Sequence, residues 1–185
     1  MTSARNARWA MAVDTRTCVG CAACVIACKT ENDLPEGYAR NWIWTGTTGA
    51  YPELSMEVRS ERCNQCEDAP CVSACPTGAS HYGPGGIVLV DPDKCTGCKA
   101  CIAACPYGAR FVDPRTHTVD KCTFCVHRIE QGNASTACQE VCPTRSIHFG
   151  DLNDPDSDIV RLLATRESYV LLPEAGTRPR HYYLK

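Results

Sequence analysis

The sequence predicts an α+β chain that is loop-rich, internally duplicated and held together by bound metal rather than by a large apolar core. Three observations carry this. Sixteen of the 185 residues are cysteine, and they fall in four groups of four. The segments around the first two groups recur around the last two. Aromatic residues make up only 7 % of the chain, against 13 Gly and 12 Pro, so something besides burial must hold the fold.

Composition excludes several classes. The 19 basic and 21 acidic residues nearly balance, so no basic face points to nucleic acid or an anionic membrane surface. A 22 % share of charged residues is ordinary and argues against disorder. The longest apolar run in an expected strand, Ile87 to Val90, is far short of a bilayer span. Met1 to Asp14 has no adjacent Arg pair and no apolar stretch, so no signal peptide is expected. Without an export route the cysteines point to metal rather than to disulfides.

Cys18, Cys21, Cys24 and Cys28 are spaced C-x2-C-x2-C-x3-C, and Cys95, Cys98, Cys101 and Cys105 repeat that spacing. Cys63, Cys66, Cys71 and Cys75 give C-x2-C-x4-C-x3-C; Cys122, Cys125, Cys138 and Cys142 give C-x2-C-x12-C-x3-C. Pro76, Pro106 and Pro143 follow the last cysteine of three groups, and Lys29 stands in the fourth. This is the bacterial ferredoxin signature. Three thiolates of a tight loop wrap one cubane, and the fourth cysteine is expected to start a helix that reaches a neighbouring cluster. Zinc favours two separated pairs and fits the crowded runs poorly. The expected fold is thus a duplicated bacterial-type ferredoxin-like one built around four iron–sulfur clusters.

The elements follow in order. Val13-Asp14 leads into Cys18-Val19-Gly20-Cys21-Ala22-Ala23-Cys24 as Val90-Asp91 leads into Cys95-Thr96-Gly97-Cys98-Lys99-Ala100-Cys101. Cys71 to Gly83 and Cys138 to Gly150 share Cys, Cys-Pro-Thr, His and Gly at equal spacing. An ancestral two-cluster unit has been doubled. Ala10–Asp14 and Ile87–Asp91 read as strands, and Ala22–Glu31 and Lys99–Ala104 as short Ala-rich helices. Gly20 and Gly97 suit a positive φ that aims backbone N–H groups at sulfur. Trp42 and Trp44 sit at strand spacing and are expected to pack or to meet another subunit. His127 to Glu130 reads as a helix ended by Gly132. His81 and His148 occupy equivalent places, where a structural hydrogen bond is the default and tuning of a cluster the alternative. Beyond the last cysteine come a helix (158–166), a strand (169–172) and an aromatic tail, Thr177 to Leu184, expected to dock on a partner.

The four-group pattern, Cys105-Pro106-Tyr107-Gly108-Ala109-Arg110, Lys121-Cys122-Thr123-Phe124-Cys125 and Gly176-Thr177-Arg178-Pro179 resemble the four-cluster ferredoxin-like subunits of membrane-bound molybdopterin oxidoreductases, the polysulfide and thiosulfate reductase type above all. Dimethyl sulfoxide reductase and formate dehydrogenase relatives are similar in design. The resemblance spans about Ala10 to Leu184. It implies four 4Fe–4S clusters, held by Cys18, Cys21, Cys24 and Cys142; by Cys63, Cys66, Cys71 and Cys105; by Cys95, Cys98, Cys101 and Cys75; and by Cys122, Cys125, Cys138 and Cys28. It implies two interleaved lobes, about 7–50 plus 115–150 and about 55–112, with 151–185 as a C-terminal docking segment. The partners it implies are a molybdopterin catalytic subunit and a quinone-binding polytopic membrane subunit. The location it implies is peripheral on the cytoplasmic membrane, on the periplasmic side by way of the partner's export signal, with the cytoplasmic side as the alternative.

The implied role is relay of single electrons, with no bond-making chemistry on this chain; no P-loop, dinucleotide fingerprint or Ser/His/Asp set appears. Four cubanes with four thiolates each add about −8 to the formal charge of −2. Lys94, Lys99 and Lys121, beside ligand cysteines, are expected to offset it. The rival readings are a free polyferredoxin carrier and a set of purely structural or sensing clusters.

Overall fold

The computed structural model describes residues 7–185. The chain runs β1 (Trp9–Asp14), α1 (Ala23–Glu31), β2 (Asn41–Ala50), β3 (Glu53–Arg62), α2 (Pro70–Ser73), β4 (Ser80–Tyr82), β5 (Val88–Val90), α3 (Ala100–Ala103), β6 (Phe111–Val112), β7 (Val119–Asp120), α4 (Val126–Glu130), α5 (Ala137–Glu140), β8 (Ile147–Asp151), α6 (Asp158–Thr165), β9 (Ser168–Tyr169) and β10 (His181–Leu184). Helix and strand are mixed throughout, and long loops carry the cysteines.

One four-stranded sheet, ordered β8-β1-β10-β9, anchors the molecule. Every residue of β1 is buried, which is why Trp9-Ala-Met-Ala-Val-Asp reads as a continuous apolar run instead of an alternation. The Asp14 carboxylate takes the Arg166 guanidinium, and that contact, more than burial, sets it below the usual carboxylate range. β10 lies parallel to β1, pairing Met11 with His181 and Asp14 with Leu184. Tyr183 and Leu184 are fully buried there. The apolar end of the tail is therefore packed into this chain's own sheet. The strand expected over 169–172 shrinks to Ser168–Tyr169, because Leu172 turns left-handed ahead of Pro173.

Helix α6 covers one face of this sheet. Ile159 packs on Ala10, Ala12 and Leu184 with no exposure of its own. The two alanines leave room for the helix, and Gly150 completes the seat: a Cβ there would lie 2.4 Å from Ser157 Oγ. Ile159→Ala should cost about 2–4 kcal/mol, since the small residues around it cannot collapse into the void; the shift of a urea unfolding midpoint reads this out.

The other sheets are two-stranded. β2 and β3 form a hairpin in register from Asn41–Arg62 to Ala50–Glu53. Its base is buried and its tip exposed. Trp44 lies across Gly46 and under the Arg59 guanidinium, 3.5 Å from the ring centre, while Trp42 donates to Glu61. Trp42 also packs against the main core, so a packing role holds for it.

The helices correct one expectation. The fourth cysteine of a group does not start a helix. α2, α3 and α5 carry the third cysteine (Cys71, Cys101, Cys138) and stop before Cys75, Cys105 and Cys142, each followed by proline. Proline cannot continue a helix. Lys29 explains the exception: α1 runs through Cys28 to Glu31, and the lysine donates to Tyr38 O. The end of α1 is tied to α4, where Arg128 and His127 both bind Glu31 and hold its carboxyl down at about 2.

Candidate functional site

The sixteen cysteines are all free thiols, and cysteines from distant parts of the chain come together. Cys18, Cys21 and Cys24 line one pocket together with Cys142. Cys95, Cys98 and Cys101 line another with Cys75. Cys28 lies in the field of Cys138 and Cys125, and Cys122 in that of Cys28 and Cys138. Cys66 lies in that of Cys63, Cys71 and Cys105.

Local backbone geometry recurs four times. The residue before the second cysteine of each group is left-handed: Gly20 and Gly97 at φ 67°, Gln65 at 48° and Phe124 at 52°. Glycine adopts this without strain; Gln65 and Phe124 accept it because their side chains have work to do. Gln65 Nε2 donates to Cys122 O and its Oε1 accepts from Val88 N, both at 2.7 Å. Phe124 is buried edge-on against Phe149. The duplication shows equally at the fourth cysteines. Ser80 N donates to Cys75 Sγ at 3.3 Å, and Ser146 N to Cys142 Sγ at 3.2 Å. Against the effect of burial, these bonds and those from Thr77 and Thr144 lower both thiols. His81 holds the carbonyl of Ala79 through Nδ1, the structural bond expected of it.

Elsewhere burial dominates. It pushes the Cys28 thiol up to about 12 and Cys66 up to about 11. Such thiols bind as anions only to a cation that compensates them, which suits iron. Among the described residues no three His, Cys, Asp or Glu side chains converge on a single ion. Buried donors without a protein acceptor fit a cluster. Arg62 Nε and Arg110 Nε and Nη1 find no partner in the chain, and cluster sulfide supplies acceptors.

Three cations stand among the sets. Arg62 Nη1 donates to Cys138 Sγ at 3.0 Å, and Arg110 Nη2 to Cys71 Sγ at 2.8 Å. Lys121 is buried, donating to Val88 O and, at 2.8 Å, to Cys122 O. Of the three lysines expected to offset cluster charge, Lys121 alone is enclosed. Lys99 is exposed, and Lys94 pairs with Asp91 at 3.0 Å on the surface. The two arginines carried no sequence signal except that each lies within a few residues of a cysteine, Cys63 or Cys105.

The comparisons with known proteins agree. Residues 54–152 match the 4Fe-4S dicluster domain, and residues 15–31 a 4Fe-4S binding domain. Protein NrfC of Escherichia coli (strain K12) is 44 % identical over 177 residues, covering 95 % of this chain and 79 % of that protein. One of the chains of polysulfide reductase from Wolinella succinogenes is 44 % identical over 176 residues, covering 94 % and 92 %. One of the subunits of tetrathionate reductase from Salmonella typhimurium is 41 % identical over 181 residues, covering 96 % and 72 %. The chain thus carries 4Fe–4S clusters, and its sixteen cysteines are consistent with four of them. The chain belongs to the 4Fe-4S dicluster family of iron–sulfur electron-transfer subunits, together with these polysulfide reductase and tetrathionate reductase polypeptides.

Proposed function

We propose that this chain relays single electrons between a quinone-binding polytopic membrane subunit and a molybdopterin catalytic subunit of a polysulfide or thiosulfate reductase-like complex. The four ligand sets are Cys18, Cys21, Cys24 and Cys142; Cys28, Cys122, Cys125 and Cys138; Cys63, Cys66, Cys71 and Cys105; and Cys75, Cys95, Cys98 and Cys101. They form two duplicated ferredoxin-like lobes. The packing of α1 on α5 in one and of α2 on α3 in the other supports this division. When bound, each cluster takes up and returns one electron.

The observation that carries the relay reading is where the thiols meet solvent. Cys21 and Cys98 are the exposed cysteines, and they fall in two different sets. All four cysteines of the Cys122 set are buried, and the Cys63 set is buried apart from the half-exposed Cys105. Two enclosed sets between two open ones suit a path with an entry and an exit. Val19 and Ile26, both exposed, flank Cys21, and such apolar surface beside an open end suits a partner contact. No helix among the described residues is long and apolar enough to cross a membrane. The chain accordingly sits peripherally on the complex, on the periplasmic side in our reading.

Affinity purification from detergent-solubilised membranes, with iron, sulfide, molybdenum and tungsten assayed together, tests this. The expected sample holds a large pterin subunit, a polytopic membrane subunit and about 16 iron per copy of this chain. The same iron content on a lone monomer would identify a free carrier instead.

A further inference from the structure

We infer that Arg62, Lys121 and Arg110 are built into the junctions between successive clusters, one cation per junction, and that each raises the reduction potential of the two clusters it separates. The inference deepens the relay reading and rests on the ligand sets proposed for it. Arg62 touches one set and reaches a second through a hydroxyl: Nη1 donates to Cys138 Sγ, and Nη2 donates to Ser60 Oγ at 2.5 Å, which lies 3.3 Å from Cys24 Sγ. Arg110 repeats the device in the other lobe. Its Nη2 donates to Cys71 Sγ and to Ser80 Oγ at 2.9 Å, and Ser80 N donates to Cys75 Sγ. Lys121 stands between the lobes. Its amine donates to the carbonyl of Cys122 and to that of Val88, and it lies within the field of Cys63, Cys122 and Cys71 as well as of Arg110. Gln65, from the loop between Cys63 and Cys66, holds the same Cys122 carbonyl.

The three junctions string the sets in a single order. The Cys18 set meets the Cys122 set at Arg62, the Cys122 set meets the Cys63 set at Lys121, and the Cys63 set meets the Cys95 set at Arg110. The two sets with an exposed cysteine, those of Cys21 and Cys98, fall at the ends of this order. Lys121 and the two arginines are at most 5 % exposed. A buried arginine with a purely structural task has its donors satisfied, and these two do not. Each hop removes one electron from one cluster and adds it to the next, with no proton or bond change. A fixed cation near both favours the reduced, more negative form of each and screens their mutual repulsion.

The test is EPR-monitored redox titration of the cluster-loaded full chain carrying Arg62→Gln, Lys121→Met or Arg110→Gln, with iron content measured first. In each variant two of the four clusters should fall in potential while two stay in place. At a fixed potential the oxidised-to-reduced ratio of a shifted cluster should change about tenfold or more, which is about 59 mV for a one-electron couple. The overlap is the signature. The Arg62 and Lys121 variants share one shifted cluster, the Lys121 and Arg110 variants share another, and the Arg62 and Arg110 variants share none. Arg110→Lys, which keeps the charge, should keep the potentials. Fully iron-loaded variants with unmoved potentials, or with all four shifted alike, overturn the inference. Iron loss in one variant leaves the same test standing in the others. An error in the ligand sets shows separately, as loss of the wrong cluster in cysteine variants.

Discussion

Cys142→Ala should cost this chain one cluster and leave three. The cysteine lies 114 residues beyond Cys28 in sequence but lines the pocket of Cys18, Cys21 and Cys24. Two contacts fix that juxtaposition: Asp14 N donates to Ser146 O at 2.7 Å, and Thr17 Oγ1 to Ser146 Oγ at 3.0 Å. The strand that feeds the first cysteine loop is thus stitched to the strand that leaves the last one. Removal of the thiolate leaves three ligands for a group that needs four. Iron should fall from about 16 per chain by one to four atoms, according to whether a three-iron core survives. The EPR signal of one cluster should convert or vanish, while the cluster on Cys122, Cys125 and Cys138 persists. Loss of that cluster instead would reverse the proposed exchange of fourth ligands between groups one and four. The variant should also be loose at its N-terminal strand, because Ser146 N would lose its sulfur acceptor beside Asp14.

The ends of this design were legible in the sequence and its middle was not. Spacing and proline placement announce a cysteine framework, because a cluster loop must be short and the chain turns out of the helix at three of the four fourth cysteines. The strand Trp9–Asp14 and the helix Ala23–Glu31 follow from apolar runs and alanine content, within one residue of expectation. The place of the tail was not legible, because aromatic, apolar residues at a chain end read alike whether they cover a partner or complete a sheet. The structure pairs His181–Leu184 in parallel with β1. The left-handed Gln65 and Phe124 were invisible, since neither residue type advertises positive φ. Arg62 and Arg110 were missed for a related reason. A charged residue in a short strand or loop reads as solvated surface, and only its burial in the folded chain reveals a cation placed among sulfurs.

Removal of the iron should unfold most of the molecule. Of the 29 buried apolar residues among the described ones, nine are cysteines and seven are alanines. Those side chains are too small to close over the space that four clusters fill, and voids in a core are costly. Three of the four sheets are two-stranded, and such ribbons are marginal in water on their own. Without iron the buried thiols would be neutral, for burial pushes Cys28 to about 12 and Cys66 to about 11. Arg62 and Arg110 would then be buried charges with no anion beside them, which is strongly destabilising. Anaerobic chelation should therefore abolish the near-UV circular dichroism and expose all 16 thiols to a labelling reagent. The last protection against hydrogen exchange should lie in β1, β8 and β10 under α6, where Ile159, Leu184, Ala10 and Ala12 pack without cysteine. An iron-free chain that kept its near-UV signal and a cooperative thermal transition would show that the polypeptide folds first and is merely filled by its clusters.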